Sequence, residues 1–146
     1  MKYIGALIFA VCASVYGFHK SRELKERALA AKDIRLFAQG VGSYIKELKL
    51  PLNEIYRRLS PSNSLAKALL SSKDYSAGDT ELDARLRCFL DNIGGGFLNE
   101  ELSLCSELEE LASQRQTHYE KEYASKSVLY KSLGLIVGLA TMIVIA

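Results

Sequence analysis

The chain is apolar at both ends and charged between them. Residues 3–18 and 132–146 contain no formally charged side chain, whereas every acidic residue and nearly every basic one lies between these two runs. An α-helix rises about 1.5 Å per residue, so the first run covers roughly 24 Å of a hydrocarbon core about 30 Å thick. The second run is about as long, and it extends further if Val128, Leu129 and Tyr130 enter the interface while Lys131 snorkels out. Two such runs in one chain predict a pair of transmembrane helices.

The apolar positions between the two runs recur every three or four residues, which is the helical period. The first span is therefore predicted to continue into a long helix. Its apolar stripe consists of Leu24, Ala28, Ala31, Ile34, Ala38, Val41, Ile45 and Leu48. Leu50-Pro51-Leu52 ends this helix, and Pro51 suits the first position of a second one, because the N–H that proline lacks has no partner there. The apolar face of the second helix consists of Leu52, Ile55, Tyr56 and Leu59.

Turn residues divide the middle of the chain into shorter elements. A turn cluster at residues 60–64 precedes a short third helix through Leu65, Leu69 and Leu70. Residues 71–78 are polar, and we expect them to form the most mobile loop. Asp79 or Thr80 caps a fourth helix, which ends at Gly94–Gly96. The apolar face of that helix consists of Leu82, Leu86, Phe89, Leu90 and Ile93.

The fifth helix follows the glycine run and continues into the second apolar run. Asn99 is its predicted N-cap, and Glu100 and Glu101 suit the positive end of the helix dipole. Its apolar side chains are Leu104, Leu108, Leu111, Tyr119 and Tyr123. The predicted fold is all-α, an antiparallel helical bundle whose first and last helices continue into transmembrane spans. The predicted domains are an N-terminal transmembrane helix (1–19), a cytoplasmic helical bundle (20–130) and a C-terminal transmembrane helix (131–146).

The cytoplasmic location follows from the basic residues, which lie almost entirely on the inner side of both predicted spans. They are Lys20, Arg22, Lys25, Arg27, Lys32 and Arg35 after the first span, and Lys121, Lys126 and Lys131 before the second. Only Lys2 and the amino terminus lie on the other side. Lysine and arginine mark the cytoplasmic side of a span, so both spans predict the same orientation.

Composition argues against several classes of function. The formal net charge of the 146 residues is +2, and basic and acidic residues are mixed along the helices, so nucleic-acid binding is not indicated. The three cysteines form no CxxC motif, which argues against a disulfide framework or a zinc site. An antiparallel hairpin could bring Cys88 and Cys105 together. In a reducing cytoplasm, two small buried thiols are the favoured interpretation.

The residues that most often carry chemistry are isolated in this sequence. His19 lies at the predicted membrane edge and His118 in a charged helix, and neither has partners placed for a triad or a metal site. Gly94–Gly96 lacks the Gly-Lys-Ser/Thr ending of a phosphate-binding loop. A solvated helix face accounts for Glu107, Glu109 and Glu110. No charge lies within the spans, which disfavours a transporter. We therefore expect no enzymatic activity, no catalytic, cofactor-binding or metal-binding residue, and no small-molecule substrate.

Several short motifs resemble the stage III sporulation protein AB family. They are Lys2-Tyr3-Ile4-Gly5-Ala6, Gly17-Phe18, Leu24-x-x-Arg27, Leu50-Pro51-Leu52-x-x-Ile55-x-x-Arg58-Leu59 and the segment from Leu129 to Gly138. The resemblance covers residues 1–60 and 100–146 well and the middle loosely. The chain departs from the family at residues 95–99, where a Gly-x-Ser-Asp stretch is typical, and it is shorter between Ser60 and Asp79.

The resemblance implies a cytoplasmic helical domain similar to that of the type II secretion inner-membrane platform protein. It implies a location in the mother-cell membrane facing the forespore, as an assembly component of the channel that joins the two cells during endospore formation. The implied partners are the lipid bilayer, other channel proteins and a secretion-type ATPase. Two alternatives stay open: an unrelated two-span scaffold or adaptor, and a secreted, lipid-anchored helical protein with a cleaved signal peptide.

Overall fold

A computed structural model describes residues 2–145 of the chain. Within that range it contains five helices and no strand, which confirms the all-α prediction. The helices are α1 (Lys2–Leu48), α2 (Leu52–Leu59), α3 (Ser64–Leu70), α4 (Thr80–Asn92) and α5 (Leu98–Ile145). The chain forms two compact units. The paired-helix unit comprises the described parts of Met1–Glu26 and His118–Ala146, and the bundle unit comprises Arg27–Thr117.

The core of the bundle unit forms on the buried face of α1. Phe37 is fully buried there, and its ring lies 5.5 Å from that of Tyr56 on α2 and 6.1 Å, edge to face, from that of Phe89 on α4. One side chain thus joins three helices. The predicted apolar face of α1 is buried from Leu24 to Ile45, but Leu48 is 53% exposed. The prediction fails at Leu48 because α1 ends there, so no further turn covers it.

The second and third helices begin close to the predicted positions. Pro51 has φ −64° and ψ 147°, so it precedes α2 as its N-cap rather than occupying the first helical position. Ile55 is buried, as predicted, and the other predicted face residues of α2 are partly buried. The predicted third helix is present as α3, in which Leu65 is buried and Leu70, its last residue, is exposed.

A buried asparagine fixes α3 against α1. Asn63 is 4% exposed and caps α3, because its side-chain oxygen accepts hydrogen bonds from the backbone N–H groups of Leu65 (3.0 Å) and Ala66 (3.2 Å). Its amide nitrogen donates to the backbone carbonyl of Asp33 on α1 at 2.8 Å. All of the polar atoms of this buried side chain therefore have partners, which is what burial of an amide requires.

Hydrogen bonds and burial fix the second half of the loop before α4. Tyr75 is partly buried and donates from its hydroxyl to the carbonyl of Ala30 at 3.4 Å, and burial raises the pKa of Tyr75 to about 12. Ala77 is buried, and its N–H donates to the Asp83 carboxylate at 2.7 Å. Asp79 caps α4, as predicted, by accepting from the N–H groups of residues 81 and 82. The expected mobility of residues 71–78 stays a prediction.

In the connection between α4 and α5, the predicted N-cap of α5 is wrong. Gly94 has φ +91°, a conformation that side chains disfavour, and a Cβ there would lie 2.7 Å from Cδ1 of Leu52. The next helix begins at Leu98, so Asn99 lies in its first turn and is not the N-cap. Phe97 precedes the helix instead: its carbonyl accepts from Glu101 N at 3.0 Å, and its N–H donates to the Glu100 carboxylate at 3.4 Å.

Candidate functional site

The two helices of the paired-helix unit meet through small residues. A Cβ placed on Gly17 would lie 2.7 Å from the carbonyl oxygen of Tyr130. A Cβ on Gly134 would lie 2.9 Å from the Ser14 hydroxyl oxygen, and one on Gly138 would lie 3.6 Å from Cβ of Ala10. Both backbones therefore approach so closely that only small side chains fit between them. Such contacts are characteristic of helix pairs packed within a membrane.

The large apolar side chains of this unit point away from the contact. Those of the first helix that are exposed are Tyr3, Ile4, Leu7, Ile8, Phe9, Val11, Val15, Tyr16 and Phe18. Those of the last helix are Val128, Leu129, Leu133, Leu135, Ile136, Leu139, Met142, Ile143 and Val144. Both helices are long and apolar enough to cross a membrane. An apolar surface this extensive exceeds what a water-soluble monomer tolerates, so the unit has the surface of a membrane protein.

The hydroxyl groups within the apolar part of α5 bond to their own helix. Thr141 Oγ1 donates to the backbone carbonyls of Val137 and Gly138. Ser132 Oγ donates to the Leu129 carbonyl at 3.0 Å. Hydrocarbon offers no partner to a hydroxyl, so a helix in lipid must satisfy these groups internally. The arrangement meets that requirement.

Charged groups mark one end of the apolar part. The Lys131 ammonium lies 6.0 Å from the centre of the Phe18 ring, a distance at which a cation and an aromatic face attract. Ion pairs follow beyond it on both helices, at 3.0 Å between Lys20 and Glu23 and at 2.9 Å between Lys126 and Glu122. The Glu122 carboxylate raises the pKa of Lys126. Charged side chains therefore begin where the apolar surface of the two helices ends; the position of the membrane interface at Lys131 stays a prediction.

The two histidines lie on exposed surface. His19 is exposed, and the exposed ring of His118 lies 5.4 Å from the Tyr119 ring, with Nε2 3.8 Å from the Glu122 carboxylate. Among residues 2–145, no three histidine, cysteine or acidic side chains are grouped so as to hold a metal ion. The pocket beside Gly95 and Gly96 is lined by acidic side chains, Asp91 among them, which would repel a phosphate.

The prediction that Cys88 and Cys105 are both buried is only half right. All three are free thiols; Cys105 is buried, but Cys88 is exposed, so the interpretation of two buried thiols holds only for Cys105. Burial, followed by the charges of Glu101 and Glu109, raises the pKa of Cys105 to about 11. Cys12 is exposed on the apolar surface of α1.

Two surface features of the bundle unit were not predicted from the sequence. A groove of about 440 Å³ lies between α4 and α5, and it is lined by Glu81, Arg85, Cys88, Phe89, Leu104, Glu107, Leu108, Glu110, Leu111 and Gln114. The α4–α5 connection also presents Phe97, which is 82% exposed. The small-residue contact was missed too, although Gly134 and Gly138 have the spacing of a membrane helix-pairing motif.

Comparison with known proteins gives no relative from which a role could be transferred. The chain matches no protein-family model, no curated protein and no solved structure.

Proposed function

We propose that the protein is a two-span membrane scaffold whose bundle unit lies in the cytoplasm. In this proposal it is an assembly component of the channel between mother cell and forespore in endospore formation, located in the mother-cell membrane. Its partners are the lipid bilayer, other channel proteins and a secretion-type ATPase. The protein holds a folded cytoplasmic surface at the membrane and catalyses no reaction.

The observation that carries the membrane-scaffold role is the packing of the paired-helix unit. Small residues such as Gly17 and Gly134 lie inside, and large apolar residues lie outside, which is the reverse of packing in water. Such packing is favourable only where the solvent is hydrocarbon. Basic residues next to both spans support a cytoplasmic bundle.

The fitted helix contact also favours two retained spans over the secreted, lipid-anchored alternative. A cleaved signal peptide and a removed C-terminal tail would leave the mature protein without either partner of the contact. Gly134 and Gly138 nevertheless meet Ser14 and Ala10 closely enough to require small residues. The endospore role rests on the family motifs, which include the Leu50-Pro51-Leu52 segment at the start of α2.

A reporter fusion tests the topology. Alkaline phosphatase, or a fluorescent protein in a parallel strain, is inserted after the exposed residue Lys73, ahead of the anchored Tyr75 and Ala77. The fluorescent fusion should fluoresce and the phosphatase fusion should be inactive, because the site lies in the cytoplasm. Phosphatase activity at this position would refute the proposed orientation.

A separate complementation experiment tests the endospore role. The chain, expressed in an endospore former that lacks its stage III sporulation protein AB, should restore spore formation. The matched control replaces Ile136, Leu139 and Ile143 with Asp, at about 2.5 kcal/mol or more for each charge in a span, and should not restore it. Failure of the unmodified chain, shown to be inserted, would refute the sporulation role and leave the two-span scaffold standing.

A further inference from the structure

Charge is distributed very unevenly between consecutive parts of the chain. Residues 20–73 contain twelve basic and five acidic side chains, a net charge of +7, whereas residues 74–110 contain two basic and ten acidic ones, a net charge of −8. The overall charge of +2 conceals this difference. In the bundle unit, α4 and the start of α5 therefore form an acidic surface, and α1 to α3 carry the basic side chains.

The groove between α4 and α5 lies on the acidic surface. Its volume is about 440 Å³, and its apolar lining includes Leu104 and Leu111, two helical turns apart on α5. Glu107 and Glu110, both exposed, line it from α5, and Glu81 and Arg85 line it from α4, so its charged lining has a net charge of −2. Such a groove fits an apolar side chain that projects from a helix with basic neighbours.

Such a helix face exists on the same chain. The outer face of α1 within the bundle unit has exposed residues at alternating steps of three and four. We call this face the α1 stripe; it consists of Leu29, Lys32, Leu36, Gln39, Ser43 and Lys46. Leu29 is 51% exposed and Leu36 is 38% exposed, while the stripe carries two lysines and no acid. Within residues 2–145 no ion pair engages Lys32 or Lys46.

The stripe and the groove are level with each other along the bundle. A Cβ on Gly42 would lie 3.4 Å from Cβ of Cys105, so these residues of the antiparallel helices α1 and α5 are level. Leu36 lies six residues before Gly42 on α1, and Leu111 lies six residues after Cys105 on α5, so the two leucines are level. Lys46 and Glu101 are four residues away in the opposite directions, so they are level too. Lys32 is level with Arg115, which binds Glu81. A leucine thus matches a leucine and Lys46 matches an acidic residue, whereas Lys32 lies level with a basic residue whose ion-pair partner, Glu81, lines the groove.

We propose that the groove binds the α1 stripe of a second copy of this chain, so that copies associate head to tail. The inference rests on the proposed function, because two spans confine all copies of the chain to one bilayer. Confinement to the membrane also raises the effective concentration, so a modest contact suffices for association.

The contact is heterologous, because each copy contributes its stripe to one neighbour and its groove to another. Heterologous contacts propagate into rings or open arrays, whereas a symmetric contact stops at a dimer. Leu36 seats between α4 and α5 near Leu111, and the positive charge of the stripe faces the net negative charge of the groove. Screening by salt should weaken the association, since much of the recognition is between exposed charges.

Disulfide crosslinking tests the contact with the full chain in inner-membrane vesicles. Gln39→Cys on the stripe is combined with native Cys88 in the groove, in a Cys12→Ala background, while Cys105 is buried. Mild oxidation should give dimers and a ladder of higher species, because each chain has one thiol on each surface. Cys88→Ser should abolish the ladder, and Lys67→Cys in place of Gln39→Cys should give none.

Charge reversal tests the pairing. Lys32→Glu with Lys46→Glu should lose most of the ladder, as should Glu107→Lys with Glu110→Lys, and the chain with all four changes should regain it. Unchanged thermal melts of the variants would show intact folding, as expected for exposed positions. A ladder that survives the reversals or is not regained, or dimers that survive Cys88→Ser, would overturn the head-to-tail contact.

Protease protection in the same vesicles reports insertion separately. An inserted chain that gives no ladder overturns this inference alone and leaves the two-span scaffold intact; a basic helix of another protein would then be the occupant to seek. A chain that is not inserted refutes both proposals.

Discussion

Replacing Phe89 with alanine should destabilise the bundle unit severely. Phe89 is 2% exposed and meets the fully buried Phe37 edge to face, with ring centres 6.1 Å apart. Truncation of a buried phenylalanine costs about 3–5 kcal/mol through lost burial and the cavity left behind. A domain of this size has a stability of about 5–15 kcal/mol, so the loss is a large fraction of the total.

The melting temperature gives the measurement. At about 4–8 °C per kcal/mol for a small domain, Phe89→Ala should lower the melt by at least roughly 12 °C. The purified full chain in detergent is heated while helicity is followed by circular dichroism. Phe97→Ala is the matched control, because Phe97 is 82% exposed and its removal should leave the melt unchanged. A shift of Phe89→Ala no larger than that of Phe97→Ala would refute the assigned core.

Three further predictions concern the helix contact, the reactivity of the cysteines and the pH dependence of stability. Ala10→Cys with Gly138→Cys, in a Cys12→Ala background, should form a disulfide, because a Cβ on Gly138 lies 3.6 Å from that of Ala10. Adding Gly17→Leu should prevent the disulfide, because Gly17 lies in the helix contact. Adding Gly5→Leu, where the space is open, should not prevent it. Cys88 should react with a thiol reagent in the folded chain while Cys105 stays protected. Burial raises the pKa of Cys105 from 9.0 to about 11, so its stabilising contribution holds below about pH 9 and is lost as the pH rises towards 11. Urea unfolding of the native chain should therefore show a steeper alkaline loss than that of Cys105→Ala; equal losses would contradict the assignment.

The helical period predicted most of the bundle core correctly because burial repeats with the geometry of the helix. Leu82, Leu86 and Phe89 are buried, as their spacing indicated. The errors lie at helix ends. Whether Leu48 is covered depends on where the next turn of chain goes, and that is decided by the connection rather than by the period. Asn99 fits a cap by residue type, but the helix begins before it.

The candidate sites were harder to predict because they depend on which helices are neighbours. Gly134 and Gly138 count as weakly apolar residues in a hydropathy pattern, and their importance emerges only when α1 lies against them. The acidic groove was concealed for a different reason. Net charge sums over the chain, so the basic residues up to Lys73 cancel the acids that follow them. Only the pairing of α4 with α5 gathers Glu81, Glu107 and Glu110 around one groove.

The two long helices each follow two opposite packing rules, and this is the strongest argument that they meet two solvents. In the bundle unit, large residues such as Ile34, Phe37 and Leu108 are buried and lysines are exposed, as water requires. In the paired-helix unit, Gly17 and Gly134 are buried and large apolar residues are exposed. Each rule is favourable in only one solvent, because the outward side chains must match the medium around them. A single aqueous or lipid environment would therefore leave one part of α1 and α5 with the wrong surface.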